Sequence, residues 1–176
     1  MTHSIFRWPT QTTILTSSAT ETSIISQSIA ANKLLSTKVA RGRLVCILRN
    51  SSGADRTYTF RLKFGGSTII DDAAIAVPTA AGATDLRSVI INFEIAAQNS
   101  TTVQAVSMTL EISPIRGLTT GSSGDWGAVG LLPPSTITGT GAATTTNANT
   151  LDITVQADAG TATQSFILRY GYMEII

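Results

Sequence analysis

The chain has 176 residues, a net charge of +1 and only 13 % charged side chains, against 43 % hydrophobic ones. That length suits one domain with its own core, and the hydrophobic content is too high for a disordered chain. The lack of a basic stripe argues against electrostatic binding to nucleic acid, and no apolar run approaches the ~20 residues that cross a bilayer.

Residues 1–20 read as an extended N-terminal arm. Ile5, Phe6, Trp8, Ile14 and Leu15 are scattered among Ser and Thr, and Pro9 breaks the run. These apolar residues look too few and too separated for a core strand. A frayed terminus is one reading. The other is an attachment arm, with Ile5, Phe6, Arg7 and Trp8 as its contact residues, since aromatics and Arg anchor interfaces.

The second unit, residues 21–176, reads as strands and turns. Ser23 to Ile29 is the first strand, and Leu34-Leu35 in the following connector could seed a short helical turn. Arg43 to Asn50 is a strand ended by the turn cluster NSSGAD. Thr57 to Phe64 alternates most clearly, with Tyr58, Phe60, Leu62 and Phe64 on one face. Gly65-Gly66 turns the chain into Ser67 to Ile70, and a loop to Thr84 holds an extended piece at Ile75 to Val77. Leu86 to Ala97 and Val103 to Ile112 are two further amphipathic strands.

Residues 113–149 are rich in Gly, Ser, Thr and Pro and read as one long connection carrying contacts. A hairpin closes the chain: Leu151 to Gln156, a turn at Asp158 to Thr161, then Phe166 to the end. Its last strand is apolar on both faces, which suggests a neighbour. Ile167, Arg169, Tyr172 and Met173 are its expected subunit contacts. About eight antiparallel strands need two packed sheets or a barrel. The expected fold is an all-β sandwich of jelly-roll type. An immunoglobulin-type Greek key is the alternative, weakened because Cys46 has no partner cysteine and neither Trp8 nor Trp126 falls in an expected strand.

No constellation of catalytic residues stands out, and the expectation is that the protein is not an enzyme and carries no metal or cofactor. The single histidine, His3, lies in the arm, so the body lacks Ser-His-Asp or Cys-His machinery. Cys46, in the run LVCIL, reads as a small core hydrophobe. Asp71-Asp72 reads as a solvated turn, and Glu94 and Glu111 as strand-face residues rather than a glycoside-cleaving pair. The N-terminus shows no charged-then-apolar leader pattern, which gives the expectation of a chain made in a cytoplasm.

The segment NSSGADRTYTFRLKFGGSTIID, together with LDITVQ and the terminal strand SFILRYGYMEII, resembles a recurring sandwich domain of structural proteins in tailed bacteriophages. The resemblance spans residues 21–176. It implies a virion location and a role such as capsid decoration (cement), head fibre or tail-fibre part, often as trimers. Long repeats and heptads are absent, which disfavours a fibre. The expectation is a homotrimeric capsid cement protein made in the host cytoplasm, with the major capsid protein as partner and neither nucleic acid nor membrane bound. The alternative is a module of a tail fibre or head spike that binds a host receptor or glycan.

Overall fold

The computed structural model describes residues 4–16, 18–71, 75–77, 79, 86–112, 135–160 and 164–176. Twelve strands and no helix occur among them. They are β1 (Ser4–Trp8), β2 (Thr12–Thr16), β3 (Thr22–Ile29), β4 (Val39–Asn50), β5 (Arg56–Phe64), β6 (Ser67–Asp71), β7 (Ile75–Val77), β8 (Arg87–Ala97), β9 (Gln104–Ile112), β10 (Ser135–Gly141), β11 (Asn149–Ala157) and β12 (Gln164–Ile175).

Every pairing is antiparallel. The larger sheet runs β1-β12-β4-β8-β9-β10, with β2 also on β12. The smaller runs β3-β11-β5-β6, with β7 also on β5. The order follows one rule: early strands pair with late ones. β1 and β2 lie on β12, β3 on β11, β4 on β8, and β5 on β6. Successive ribbons alternate between the layers, which is the wrapping of a jelly roll. The hairpin of β9 and β10 widens the larger sheet beyond that core.

Period-two patterning explains the layers. Tyr58, Phe60, Leu62 and Phe64 of β5 are buried, as are Leu44, Cys46 and Leu48 of β4 and Val89, Ile91, Phe93 and Ile95 of β8. The Phe60 and Phe166 rings meet edge to face across the sandwich, 5.7 Å between centroids. Burial pushes the Cys46 thiol up to about 12, so it is held as an inert thiol in the core. The turn after β5 needs glycine: Gly65 and Gly66 both have positive φ, 61° and 84°, as a two-residue hairpin with the strand twist demands.

The two described strands within the first twenty residues, β1 and β2, are paired into the larger sheet. Ser4–Trp8 pairs with Gly171 to Ile175, and Thr12–Thr16 pairs with Ser165 to Leu168. Together they make one edge strand interrupted near Pro9, which lacks an N–H and is tolerated at an edge. Leu15 is only 2 % exposed and joins the core, contrary to the expectation that its apolar neighbours were too scattered for a core strand. The helical turn expected at Leu34-Leu35 is absent; two tight turns carry Lys33 N–H to Ala30 O and Lys38 N–H to Leu35 O, while Leu34 is buried.

Part of the expected long connection is also ordered sheet. Ser135–Gly141 pairs with β9 over its whole length. The chain after it is clamped by Gln104, whose amide donates to Ala143 O at 2.9 Å and accepts from Ala143 N–H at 3.1 Å. At this side the layers close on each other, since a Cβ on Gly139 would lie 2.7 Å from Ile69 O. Residues 113–134, with Pro133-Pro134, lie outside the described residues, as do His3 and Asp72.

Candidate functional site

The outer faces of the two sheets differ. On the smaller sheet most of the described charges pair with one another, Asp152 being an exception, with its Oδ1 buried and making no hydrogen bond. Lys63 Nζ lies 2.7 Å from Glu21 Oε1, and Arg61 Nε lies 2.7 Å from Asp71 Oδ1. Arg61 also donates to Gln156 Oε1 at 2.9 Å, and Thr154 Oγ1 donates to Glu21. The hydrogen bond from Lys63, then that from Thr154, holds the Glu21 carboxyl below its ordinary value. Among the described residues this face is largely closed on itself.

The larger sheet presents a broad outer face instead, and strand register sets its side chains in rows. One row runs Ile5, Glu174, Arg41, Glu94, Ser107, Thr138; the next runs Arg7, Tyr172, Arg43, Asn92, Thr109, Thr136. A third runs Tyr170, Val45, Ile90, Glu111, and a fourth Ile167, Ile47, Ser88. The first two rows are polar and charged. The last two are apolar at their centre. The face is therefore divided along the strand direction into a polar half and an apolar half.

The polar half is hollowed. A concavity of about 370 Å³ is lined by Arg41, Arg43, Asn92, Glu94, Tyr172 and Glu174, with Ser107 and Thr109 at one side. Arg41 Nε donates to Glu174 Oε1 at 2.7 Å, and that contact raises the Arg41 pKa above its ordinary value. Asn92 Nδ2 donates to Glu111 Oε1 at 3.2 Å. Arg43 and Glu94 make no side-chain hydrogen bond among the described residues. A second hollow of about 480 Å³ continues toward β10 and shares Glu94 and Ser107 with the first.

The structure brings the two segments singled out from sequence side by side. Arg7 faces Tyr172 and Ile5 faces Glu174 across the β1–β12 pair. Of the arm residues, Ile5 and Arg7 point outward, while Phe6 and Trp8 pack against the core. Of the strand residues, Ile167 is half-buried on the outer face, Tyr172 is 44 % exposed, and Arg169 is exposed and donates to Gln11 Oε1 at 2.6 Å. Met173 is the correction: it is wholly buried and cannot be a surface contact.

The cause is a slip in register between Leu168 and Tyr170. Arg169 is the extra residue of a β-bulge, and one extra residue exchanges the two faces of everything after it. Without it, the face begun by Phe166 and Leu168 would continue through Tyr170, Tyr172 and Glu174. That would bury a carboxylate and two phenols at high cost. With it, Gly171, Met173 and Ile175 turn inward.

Sequence reading missed Val45, Ile47, Arg41 and Arg43 as surface groups, and did not single out Ile90 or Asn92. The signal was present: once Leu44, Cys46 and Leu48 are core, Val45 and Ile47 must be apolar residues on the opposite face. Glu94 and Glu111 do not converge. Ser107, the partner of Glu94, is four residues from Glu111 on β9, roughly 13 Å along the strand. No group of three or more His, Cys, Asp or Glu side chains is placed to hold a metal among the described residues.

No protein-family model matches the chain, and no curated protein does. Solved structures resemble it in outline. Peanut lectin in complex with a 9mer peptide has 7 % identity and a TM-score of 0.42, over 100 % of this chain and 98 % of the lectin chain. The CBM2 module of the evolved Dit of Lactobacillus casei BL23 phage J-1 has 9 % identity and a TM-score of 0.36, over 85 % and 67 %. The infectious bursal disease virus Gx strain structure has 9 % identity and a TM-score of 0.37, over 99 % of this chain and 42 % of the viral chain. At such values the likeness is one of general sandwich shape.

Proposed function

We propose that this chain is a non-enzymatic structural protein of a tailed-bacteriophage virion, a homotrimeric decoration protein that cements the capsid. The phage resemblance of residues 21–176 supports the virion, and one surface feature supports cementing. That feature is the apolar half of the larger sheet's outer face: Val45, Ile47, Ile90 and Ile167, with Tyr170 at 55 % exposure. Six strands across and twelve residues tall at its centre, shortening toward β1 and β10, the whole face spans at most roughly 24 by 35 Å. It approaches the ~800 Å² that each partner buries in a standard interface. Its apolar centre spans β12, β4 and β8, two strand spacings or roughly 10 Å across. A second subunit is the occupant of this half, and Ile5 and Arg7 at the sheet edge are the groups turned toward the major capsid protein.

The test is the composition and robustness of the particle. Quantitative stoichiometry should give hundreds of copies per particle, and particles lacking the protein should release their genome at lower temperature yet still adsorb to cells. A handful of copies, or robust depleted particles that fail to adsorb, would sink the cement reading. They would support a receptor- or glycan-binding module, the second reading. The polar hollow beside the apolar half favours that second reading.

A further inference from the structure

We propose that the polar half of the larger sheet's outer face is a binding trough for a neutral oligosaccharide lying across the strands. The inference rests on the recognition reading rather than on the cement reading. The two hollows share Glu94 and Ser107, so they form one trough from β12 to β10. Four strand spacings make it about 19 Å long, the reach of a short oligosaccharide.

Charge selects the ligand. Arg41 and Arg43 on one strand are balanced by Glu94 and Glu174 on its two neighbours. The lining has no net charge, so a polyanion gains no counterion release there. Its groups are nonetheless strongly polar. Arginine only donates hydrogen bonds and a carboxylate only accepts them. Arg43 and Glu94 make no side-chain hydrogen bond among the described residues, and there the Asn92 amide oxygen accepts none, while its Nδ2 donates to Glu111. A ligand that fills such a site must accept and donate at neighbouring atoms. A hydroxyl does both, and a sugar ring carries several in a row.

Tyr172 adds the apolar element. Its half-exposed ring sits beside Arg43 in the same row, where the C–H face of a pyranose can stack on it. Toward the far end Ser107, Thr138 and Thr140 supply further hydroxyls. A peptide fits less well, because the trough crosses the strands. The main-chain groups of β4 and β8 are already paired on both sides, so strand addition has no edge to use there.

The experiment is an amide NMR titration of the full chain with neutral hexasaccharides (maltohexaose, cellohexaose, chitohexaose, mannohexaose), with heparin as the anionic comparison. The expected result is saturable shifts at Gly42, Arg43, Asn92, Ser107 and Thr138 with at least one neutral sugar. Tyr172→Ala, Arg43→Ala and Glu94→Gln should each weaken it by about tenfold or more. Tyr172→Phe should retain binding, and Lys63→Ala on the opposite sheet should leave it unchanged. Unaltered melting temperatures show that the variants fold. Binding to heparin alone, shifts confined to other surfaces, or no response to any of these sugars at millimolar concentration would overturn the proposal. Particle association of the same variants is read separately. Variants that lose sugar but still decorate particles leave cementing untouched. Sugar binding by a protein that does not decorate particles removes the cement reading alone.

Discussion

Phe60→Ala should be among the most damaging single changes. Phe60 is fully buried on β5, and its ring meets Phe166 of β12 at 5.7 Å and 61°. One ring belongs to the smaller sheet and the other to the larger, so the pair joins the layers. Truncation removes the ring's transfer free energy and leaves a cavity that close-packed neighbours fill only in part. That costs about 3–5 kcal/mol, and the lost edge-to-face geometry contributes ~0.5–1.5 kcal/mol of pairing on top of area alone. Against a total stability of about 5–15 kcal/mol, the variant keeps only part of its margin. With a urea slope near 2 kcal/mol per molar, the midpoint should fall by roughly 2 M. Equilibrium urea melts followed by fluorescence measure this directly. A loss below about 1 kcal/mol would mean that the layers collapse into the space, and that the Phe60–Phe166 contact does not organise the core.

Met173→Ala should cost about 2–5 kcal/mol, while Tyr172→Ala beside it should change stability by no more than ~0.5 kcal/mol; the reverse order would place the bulge elsewhere. Leu15→Ala should cost at least ~2 kcal/mol, because β2 is part of the sandwich edge; a neutral result would return the N-terminal segment to a detached arm. Glu21 contributes a pH dependence whose sign follows from its lowered pKa. Its share of stability is complete above the ordinary carboxylate value of 4.5 and is lost as pH falls through the lowered folded value. Glu21→Gln should therefore flatten the acid limb of a stability–pH curve below 4.5, and an unchanged limb would show the contact with Lys63 to be weak.

Strand existence was legible wherever one face meets the core and the other meets water. Tyr58 through Phe64 and Val106 through Ile112 keep strict alternation, and their buried sets match it residue by residue. Reading failed where tertiary pairing supplies what the local pattern lacks. Ser135–Gly141 has a single large apolar residue, Ile137, and is a strand because β9 offers it a full ladder. Thr12–Thr16 needs only Leu15 inward, since β12 and the bulk of the sandwich provide the rest. The site was half legible. Alternation identifies outward residues within a strand, but only register across strands shows that Arg43 stands between Tyr172 and Asn92.

The bulge at Arg169 links the fold to the surface it presents. It turns Gly171 inward, where a Cβ would lie 2.5 Å from Leu44 Cδ2 and 3.4 Å from Trp8, so the close approach of β12 to its neighbours depends on that residue having no side chain. It turns Tyr170 and Tyr172 outward onto adjacent rows, one at the edge of the apolar half and the other at the edge of the polar trough. It also sits opposite the break between β1 and β2, where Gln11 accepts from the Arg169 guanidinium. One inserted residue thus fixes three things together: which side of β12 packs, where the edge strand bends, and where the outer face changes from apolar to polar. Bulges are kept where they re-aim side chains. The two tyrosines it re-aims are the aromatic groups that a contact surface or a sugar trough would use.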